Sequence, residues 1–99
     1  MDHLRRERSR ELVDRKKNAV LMATNRLACE VCGFDFAGVY GARGSNFCEV
    51  HHLKPLADVR LEVETYLHDL AIVCSNCHRM LHRDPWTDIP GLRASLQLI

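Results

Sequence analysis

A small α+β domain assembled around a bound metal is the fold class that this 99-residue sequence predicts. Three observations predict it: a long helical segment opens the chain, two short β-type runs precede a helix, and four cysteines form two Cys-x-x-Cys pairs. A chain of this length normally forms one domain, whose core contributes only a small surplus over chain entropy. We therefore expect a metal site to supply part of the folding free energy.

The first 27 residues predict a helix. Residues 3–27 lack proline and glycine, and apolar residues recur there at spacings of three, four and seven, namely Leu12, Val13, Ala19, Val20, Ala23 and Leu27. This spacing aligns the apolar side chains along one stripe of a helix, which we expect to pack on the rest of the domain. We thus divide the chain into a basic helix over 1–27, a core over 28–84 and a C-terminal extension over 85–99, with a short helix predicted over 91–99.

Charge is distributed unevenly along the chain. Residues 1–27 carry eight basic and four acidic residues, a net +4, whereas the other 72 residues carry six basic and nine acidic residues, a net −3. A basic arm on a near-neutral body suits an anionic polymer such as DNA, with Arg5, Arg6, Arg8 and Arg10 as contacts. An ordinary solvated helix face is the alternative, and charge alone leaves both interpretations open.

The core region contains recognisable element boundaries. Cys29-Glu-Val-Cys32-Gly33 is typical of a zinc knuckle, and the glycine-rich residues 33–46 predict a loop or an irregular hairpin. Strands are predicted over 47–53 and 70–73, joined by a connection over 56–68. Ser75 is the predicted N-cap of a helix over 76–83, which ends before Asp84-Pro85.

Four of the five cysteines predict a structural zinc site. Cys29, Cys32, Cys74 and Cys77 form two Cys-x-x-Cys pairs, and four thiolates hold zinc in a closed tetrahedron that supports the fold. Residues 1–27 are too charged for a signal peptide or a membrane span, so we expect a soluble, cytoplasmic protein with reduced cysteines. Two redox dithiols and a mixed site of Cys29, Cys32, His78 and His82 are the alternatives. Cys48 is expected to pack as a small buried residue.

Histidines form a second constellation. His51-His52 lies on the first predicted strand, and His78-x-x-x-His82 places two imidazoles on one face of the predicted helix. Adjacent strand residues point to opposite faces, so one member of the His51-His52 pair can join the helical histidines around an ion. The other then points away with a free nitrogen. A metal beside a free imidazole is the arrangement that phosphodiester hydrolysis needs.

The segments Glu49-Val-His51-His52 and Asp69-Leu-Ala-Ile-Val-Cys74-Ser-Asn-Cys77-His78-Arg-Met-Leu-His82 resemble the signature of the HNH endonucleases in their zinc-binding form. The resemblance covers roughly residues 29–83. It implies a ββα-metal (His-Me finger) core with structural Zn²⁺ and hydrolysis of DNA with one catalytic Mg²⁺, Mn²⁺ or Ni²⁺. It also implies products with 5′-phosphate and 3′-hydroxyl ends. The basic N-terminal helix lies outside this range and is predicted from its own residues alone.

The resemblance assigns roles to individual residues. His52 corresponds to the general base, His51 and His78 to metal ligands, and His82 to an extra ligand found in the bacteriocin nuclease branch. Asp69 stands at the middle signature position, where asparagine is the name-giving residue, and an aspartate accepts hydrogen bonds there but cannot donate as an amide does. Glu49 is expected to support the site. Candidate phosphate contacts beyond the N-terminal helix are Arg79, Arg83 and Lys54.

Two other functions compete with the endonuclease hypothesis. A non-catalytic zinc module that binds DNA or a protein needs the four cysteines but not the paired histidines, and this sequence has both. A redox protein that uses Cys-x-x-Cys lacks a βαβ context here. The sequence leaves open the recognition site, nicking against double-strand cutting, the biological setting and whether the protein is a monomer or a dimer.

Overall fold

The computed structural model describes residues 2–53 and 67–97, with the side chains of residues 2–9 and the segments 54–66 and 98–99 outside the description. Six helices and strands follow one another in this described part of the chain: α1 (Asp2–Thr24), α2 (Phe36–Tyr40), β1 (Glu49–His52), β2 (Leu70–Val73), α3 (Ser75–Leu81) and α4 (Ile89–Ser95). Two 3₁₀ turns, Gly41–Gly44 and Leu67–Asp69, precede the strands. The architecture is α+β, as predicted, and is consistent with the ββα-metal fold. Within the described ranges, no helix has the length and apolar character needed to cross a membrane.

The sheet consists of two antiparallel strands, and its register positions the histidines. Glu49 pairs with Val73, and His51 pairs with Ala71. Because side chains alternate along a strand, Glu49, His51, Ala71 and Val73 share one face of the sheet. Glu49 also contacts α3 through hydrogen bonds, so this shared face is the one that α3 covers.

The main core lies between that face of the sheet and the C-terminal helices. It contains eight buried residues: Cys29, Val31, Ala71, Val73, Cys74, Cys77, Leu81 and Ile89. Three of the four paired cysteines are buried in this core, which is otherwise built of small and medium-sized apolar side chains. Leu70 and Ile72, also fully buried, lie on the opposite face of β2. A metal among the cysteines would therefore be part of the core itself.

Helix α1 contacts β2 and the 3₁₀ turn before it, but not along the whole predicted stripe. Leu12, Val13 and Val20 are half-buried, whereas Ala19 and Ala23 are exposed. The half-buried positions also include Lys16 and Lys17, so the covered face of the helix is rotated towards these lysines. Their long aliphatic stems can lie against apolar surface while the ammonium groups stay in water. The predicted membership of Ala19 and Ala23 in the packed stripe was wrong.

Several predicted boundaries need correction. The first strand occupies only Glu49–His52 instead of 47–53, whereas β2 matches the predicted residues 70–73. Residues 33–46 are not simply a loop, since they contain α2 and a 3₁₀ turn; Asp35 caps α2 by accepting from the Ala37 N–H. Helix α4 begins at Ile89, earlier than predicted, because Asp88 caps it and proline fits its first turn. It ends at Ser95, and residues 98–99 of the predicted helix lie outside the described residues.

The cap of α3 was also predicted wrongly. Ser75 is the first residue of α3, and Cys74 is its N-cap, with the Cys74 Sγ accepting a hydrogen bond from the Cys77 N–H. The helix ends at Leu81, so His82 lies at its C-cap and not within it. This geometry is typical of a knuckle in which the first sulfur accepts amide hydrogen bonds. Because Cys74 caps the helix, the Ser75 hydroxyl is able to bind another partner.

Candidate metal and catalytic site

The four paired cysteines converge in space. Their sulfur atoms all lie within 4.8 Å of one another, and the Sγ atoms of Cys32 and Cys74 are 3.7 Å apart. Tetrahedral zinc with Zn–S bonds of about 2.3 Å places its sulfurs about 3.8 Å apart. The cluster therefore has the size that a single zinc ion requires, and it contradicts the mixed site in which two of these cysteines joined the histidines.

The environment of the thiols also fits a cation. Burial and neighbouring thiols raise the pKa of Cys77. Burial likewise opposes ionisation of Cys29, but backbone hydrogen bonds around Cys32, Cys74 and Val31 lower the pKa of Cys29 to about 7. One thiolate is thus readily accommodated, while further negative charge among crowded sulfurs is unfavourable. A divalent cation would remove this penalty for all four.

The first knuckle is attached to the sheet by Glu30, a residue for which no role was predicted. The Glu30 N–H donates to the Ile72 carbonyl (2.8 Å), and the Ile72 N–H donates to the Glu30 carboxylate (2.7 Å). Arg93 of α4 donates to the Glu30 carbonyl. These contacts fix Cys29 and Cys32 relative to β2 and α4. A lone glutamate between two cysteines carries no sequence signal for such a role.

Three histidines form a second cluster. One ring nitrogen from each of His51, His78 and His82 lies within 4.8 Å of the others, with ring centroids 4.9–5.5 Å apart. His51 comes from β1, His78 from α3, and His82 from the C-cap of that helix. The strand and helix thus bring together all three residues predicted as catalytic-metal ligands.

An unsatisfied polar atom marks this cluster. His51 is only 9% exposed, and among the described residues its Nδ1 is buried without a hydrogen-bond partner. Burial, with the neighbouring imidazoles of His82 and His78, lowers the pKa of His51 to about 4, so the ring is neutral at pH 7. A neutral, buried imidazole with an orphaned nitrogen is a costly arrangement unless an ion or another group contacts it. The residues present therefore fit a divalent metal.

Glu49 fixes the orientation of His78. Its carboxylate contacts the His78 Nδ1 (2.7 Å) and accepts from the Ser75 hydroxyl (2.6 Å). The Ser75 hydrogen bond, followed by that of His78, lowers the pKa of Glu49, so the group is a carboxylate. With Nδ1 occupied, Nε2 is the His78 nitrogen left for the cluster. Carboxylates commonly orient metal-binding histidines in this way. Ser75, predicted only as a cap, thus helps to hold Glu49 against His78.

His52 and Asp69 lie at the end of the hairpin where β1 finishes. His52 is half-buried beside the cluster, and burial, with the charges of His78 and His82, lowers its pKa. Asp69 ends the 3₁₀ turn before β2, and its carbonyl accepts from the Leu53 N–H (2.8 Å). Asp69 is mostly buried, with its carboxylate 3.6 Å from the His68 ring. Since His52 pairs with Leu70, Asp69 and His52 share this end of the sheet.

The predicted phosphate contacts are distributed over several elements. Arg79 and Arg83 are exposed on and just after α3, and the positive charge of Arg79 acts on Glu49. Arg10 is exposed on α1, which also carries Arg5, Arg6 and Arg8. The side chains of those three residues, and the whole of Lys54, lie outside the described part of the chain.

A model of the HNH endonuclease family matches residues 29–84, more than half of the chain. The chain belongs to the HNH endonuclease family. The matched range begins at the first knuckle cysteine and ends just beyond His82, so it includes both the cysteine cluster and the histidine cluster. Comparison with curated proteins and with solved structures gave no match. Membership in this family indicates a nuclease or a metal-dependent nucleic-acid-binding function for the HNH domain.

Proposed function

We propose that this HNH protein is a metal-dependent DNA endonuclease. The observation that carries the proposal is the arrangement around β1: three histidines converge on one point, and His52, next in sequence to one of them, remains outside the cluster. A simple zinc-binding module has no use for this second cluster, because the four cysteines already close a structural site.

The proposed reaction uses the chain's own residues in distinct ways. His51, His78 and His82 would hold a divalent ion, which would supply stabilisation of negative charge on the phosphate and the leaving oxygen. His52 accepts the proton of the attacking water, and its lowered pKa favours the unprotonated ring that this role needs. Asp69 shares the same end of the hairpin and is proposed to support the loop around His52. Arg79 and Arg83 are proposed to contact phosphates beside the metal.

The role of Glu49 is to keep His78 in the tautomer and rotamer that binds metal. Its carboxylate is held by Ser75 from the first turn of α3, so the strand and the helix are connected through a hydrogen-bonded chain. Such outer contacts raise the basicity of the ligand and preserve its orientation. We include Glu49 as a positioning residue that does not contact the substrate.

Cleavage of supercoiled plasmid tests the function. The purified protein, after dialysis without chelator, should leave plasmid intact until Mg²⁺, Mn²⁺ or Ni²⁺ is added, and then convert it to nicked or linear DNA. A matched protein carrying His52→Ala separates the enzyme from a contaminating nuclease. DNA binding without any metal-stimulated cleavage would instead favour a non-catalytic zinc-dependent module.

A further inference from the structure

An aromatic cluster outside both metal-binding clusters occupies the segment between the first knuckle and β1. Phe36 lies at its centre, with ring centroids 4.9 Å from Phe34, 4.7 Å from Phe47 and 6.3 Å from Tyr40. Phe34 and Phe47 meet Phe36 edge to face, whereas the Tyr40 ring is inclined by only 21° to it. Phe34 and Phe36 also pack against the main core, so the inner part of the cluster is anchored.

The outer part of this cluster is exposed. Tyr40 is 60% exposed and Phe47 is 47% exposed, although both rings contact Phe36. The segment that carries them is held in place, because Asp35 caps α2 and a Cβ at Gly44 would collide with the backbone of Phe36. Glycine at 44 therefore lets the 3₁₀ turn lie directly against α2. The cap and the close packing of α2 and the 3₁₀ turn thus define the conformation of the aromatic segment.

Charge favours a nucleic acid as the occupant. Between residues 36 and 48 the only charged side chain is Arg43, which is exposed on the 3₁₀ turn that follows Tyr40. The nearest preceding carboxylate, Asp35, accepts from the α2 backbone. A second copy of this chain would bring another Arg43 but no free carboxylate from the same segment. A nucleic acid would supply both a flat base for the ring and a phosphate for the guanidinium.

The position of the aromatic segment in the chain also favours a nucleic acid as its partner. Phe47 is two residues before Glu49 and four before His51, so the aromatic segment leads directly into the strand that carries the histidines. Bases in a duplex are already stacked on both faces, whereas an unpaired base has a face available for a protein ring.

We propose that the exposed ring of Tyr40, in the segment that also exposes Phe47 and Arg43, stacks an unpaired nucleobase of the DNA substrate. The inference rests on the proposed function and deepens it. The preferred substrate is DNA with a single-stranded segment, and the ring surface holds that segment while the phosphodiester backbone passes towards the histidine cluster.

The test compares affinities of the full chain for two DNAs at one fixed salt concentration, without added divalent metal. Fluorescence anisotropy is measured with a labelled oligothymidine and with a hairpin duplex that has the same number of phosphates. Tyr40→Ala should weaken binding of the single strand by about 5- to 150-fold, the range for loss of one aromatic–base stack. Binding of the duplex should change much less, and Tyr40→Phe should retain wild-type affinity.

Val39→Ala is the matched control, because Val39 is as exposed as Tyr40 but has no ring. Zinc content and circular dichroism establish that each variant is folded. In wild-type protein, 2-aminopurine within the single strand should also lose fluorescence on binding, a readout that requires no variant.

Equal loss of affinity for both DNAs, or none in Tyr40→Ala, would overturn the inference, as would unchanged 2-aminopurine fluorescence. A wild-type dimer that Tyr40→Ala converts to a monomer would assign the surface to self-association instead. Because these readouts need no cleavage, failure of stacking alongside metal-dependent plasmid cleavage rejects this inference alone. Absence of cleavage rejects the proposed function separately.

Discussion

The cysteine cluster and the histidine cluster are of similar size but differ in how they meet the solvent. In each, the possible ligand atoms lie within 4.8 Å of one another. Three of the four cysteines are buried in the main core, whereas the histidine cluster reaches from the buried His51 to the exposed His82. A metal closed in by four sulfurs has no position for a substrate, but three imidazoles leave positions free. This difference supports our proposal that the cysteine site stabilises the fold and the histidine site carries out the chemistry.

The largest expected effect is on the structural site. Cys74→Ser removes a sulfur that is both a proposed zinc ligand and the N-cap of α3. Structural zinc contributes about 10–16 kcal/mol of apparent binding free energy, which is comparable to the whole stability of a small domain. We expect loss of bound zinc and of cooperative thermal unfolding, measured by elemental analysis and circular dichroism. Cys48→Ser is the control. A folded Cys74→Ser protein with a full zinc content would show that Cys74 is not a ligand of structural zinc.

The next largest effect is expected on the rate of catalysis, with the structure of the protein unchanged. His52→Ala should lower the rate of cleavage about 10²- to 10⁴-fold, because a positioned general base is lost. Zinc content, thermal unfolding and affinity for the catalytic ion should stay as in wild type. Cleavage rates are measured under saturating DNA and metal. Normal turnover in this variant, or recovery with excess metal, would show that His52 is not the base.

His51→Ala should produce a defect of a different kind. Removing this buried ligand lowers affinity for Mn²⁺ or Ni²⁺, so activity should fall at low metal and return in part as the metal concentration rises. Isothermal titration with Mn²⁺, done in parallel on His51→Ala, His78→Ala and His82→Ala, tests whether the three histidines share one ion. If only one of the variants binds the metal more weakly, the cluster is not a single site.

A smaller effect is expected from Glu49→Gln, which keeps the shape of the side chain but removes its charge. Loss of an outer-shell partner typically reduces metal affinity about 10- to 100-fold. The loss should appear in the Mn²⁺ titration with zinc content unchanged. Ser75→Ala, which removes only the support of Glu49, should give the same direction of change with a lesser magnitude. Wild-type Mn²⁺ affinity in Glu49→Gln would limit Glu49 to a structural role.

The smallest effect on turnover should come from α1, which belongs to neither cluster. Replacing Arg5, Arg6, Arg8 and Arg10 with Ser should weaken DNA binding and reduce the slope of log affinity against log salt by about 0.9 per lost phosphate contact. Cleavage at saturating DNA should be unchanged. The exposed Arg15, which pairs with Glu11, serves as the control as Arg15→Ser. An unaltered salt slope in the fourfold variant would make this face of α1 merely solvated.

The sequence by itself determined the elements whose signals are local. The two Cys-x-x-Cys pairs, with the spacing of His51, His78 and His82, were sufficient to predict that the cysteines and the histidines form two separate clusters of possible metal ligands. The apolar run of residues 70–73 predicted β2 correctly. These patterns carry information because metal ligands and strand periodicity constrain neighbouring residues directly. The α+β fold class followed from the same signals.

Only the tertiary structure decided the contacts between residues distant in the chain. Ser75 was predicted as a cap from its local preference, but Cys74 Sγ takes that role and Ser75 binds Glu49, 26 residues earlier. Ala19 and Ala23 fit a helical stripe, yet the covered face of α1 turns towards Lys16 and Lys17 because the surface it packs against sets the rotation. The Glu30–Ile72 pair and the aromatic cluster around Phe36 likewise depend on how separate elements meet. No sequence periodicity predicts these contacts between distant residues, because they form and contribute free energy only when the core assembles.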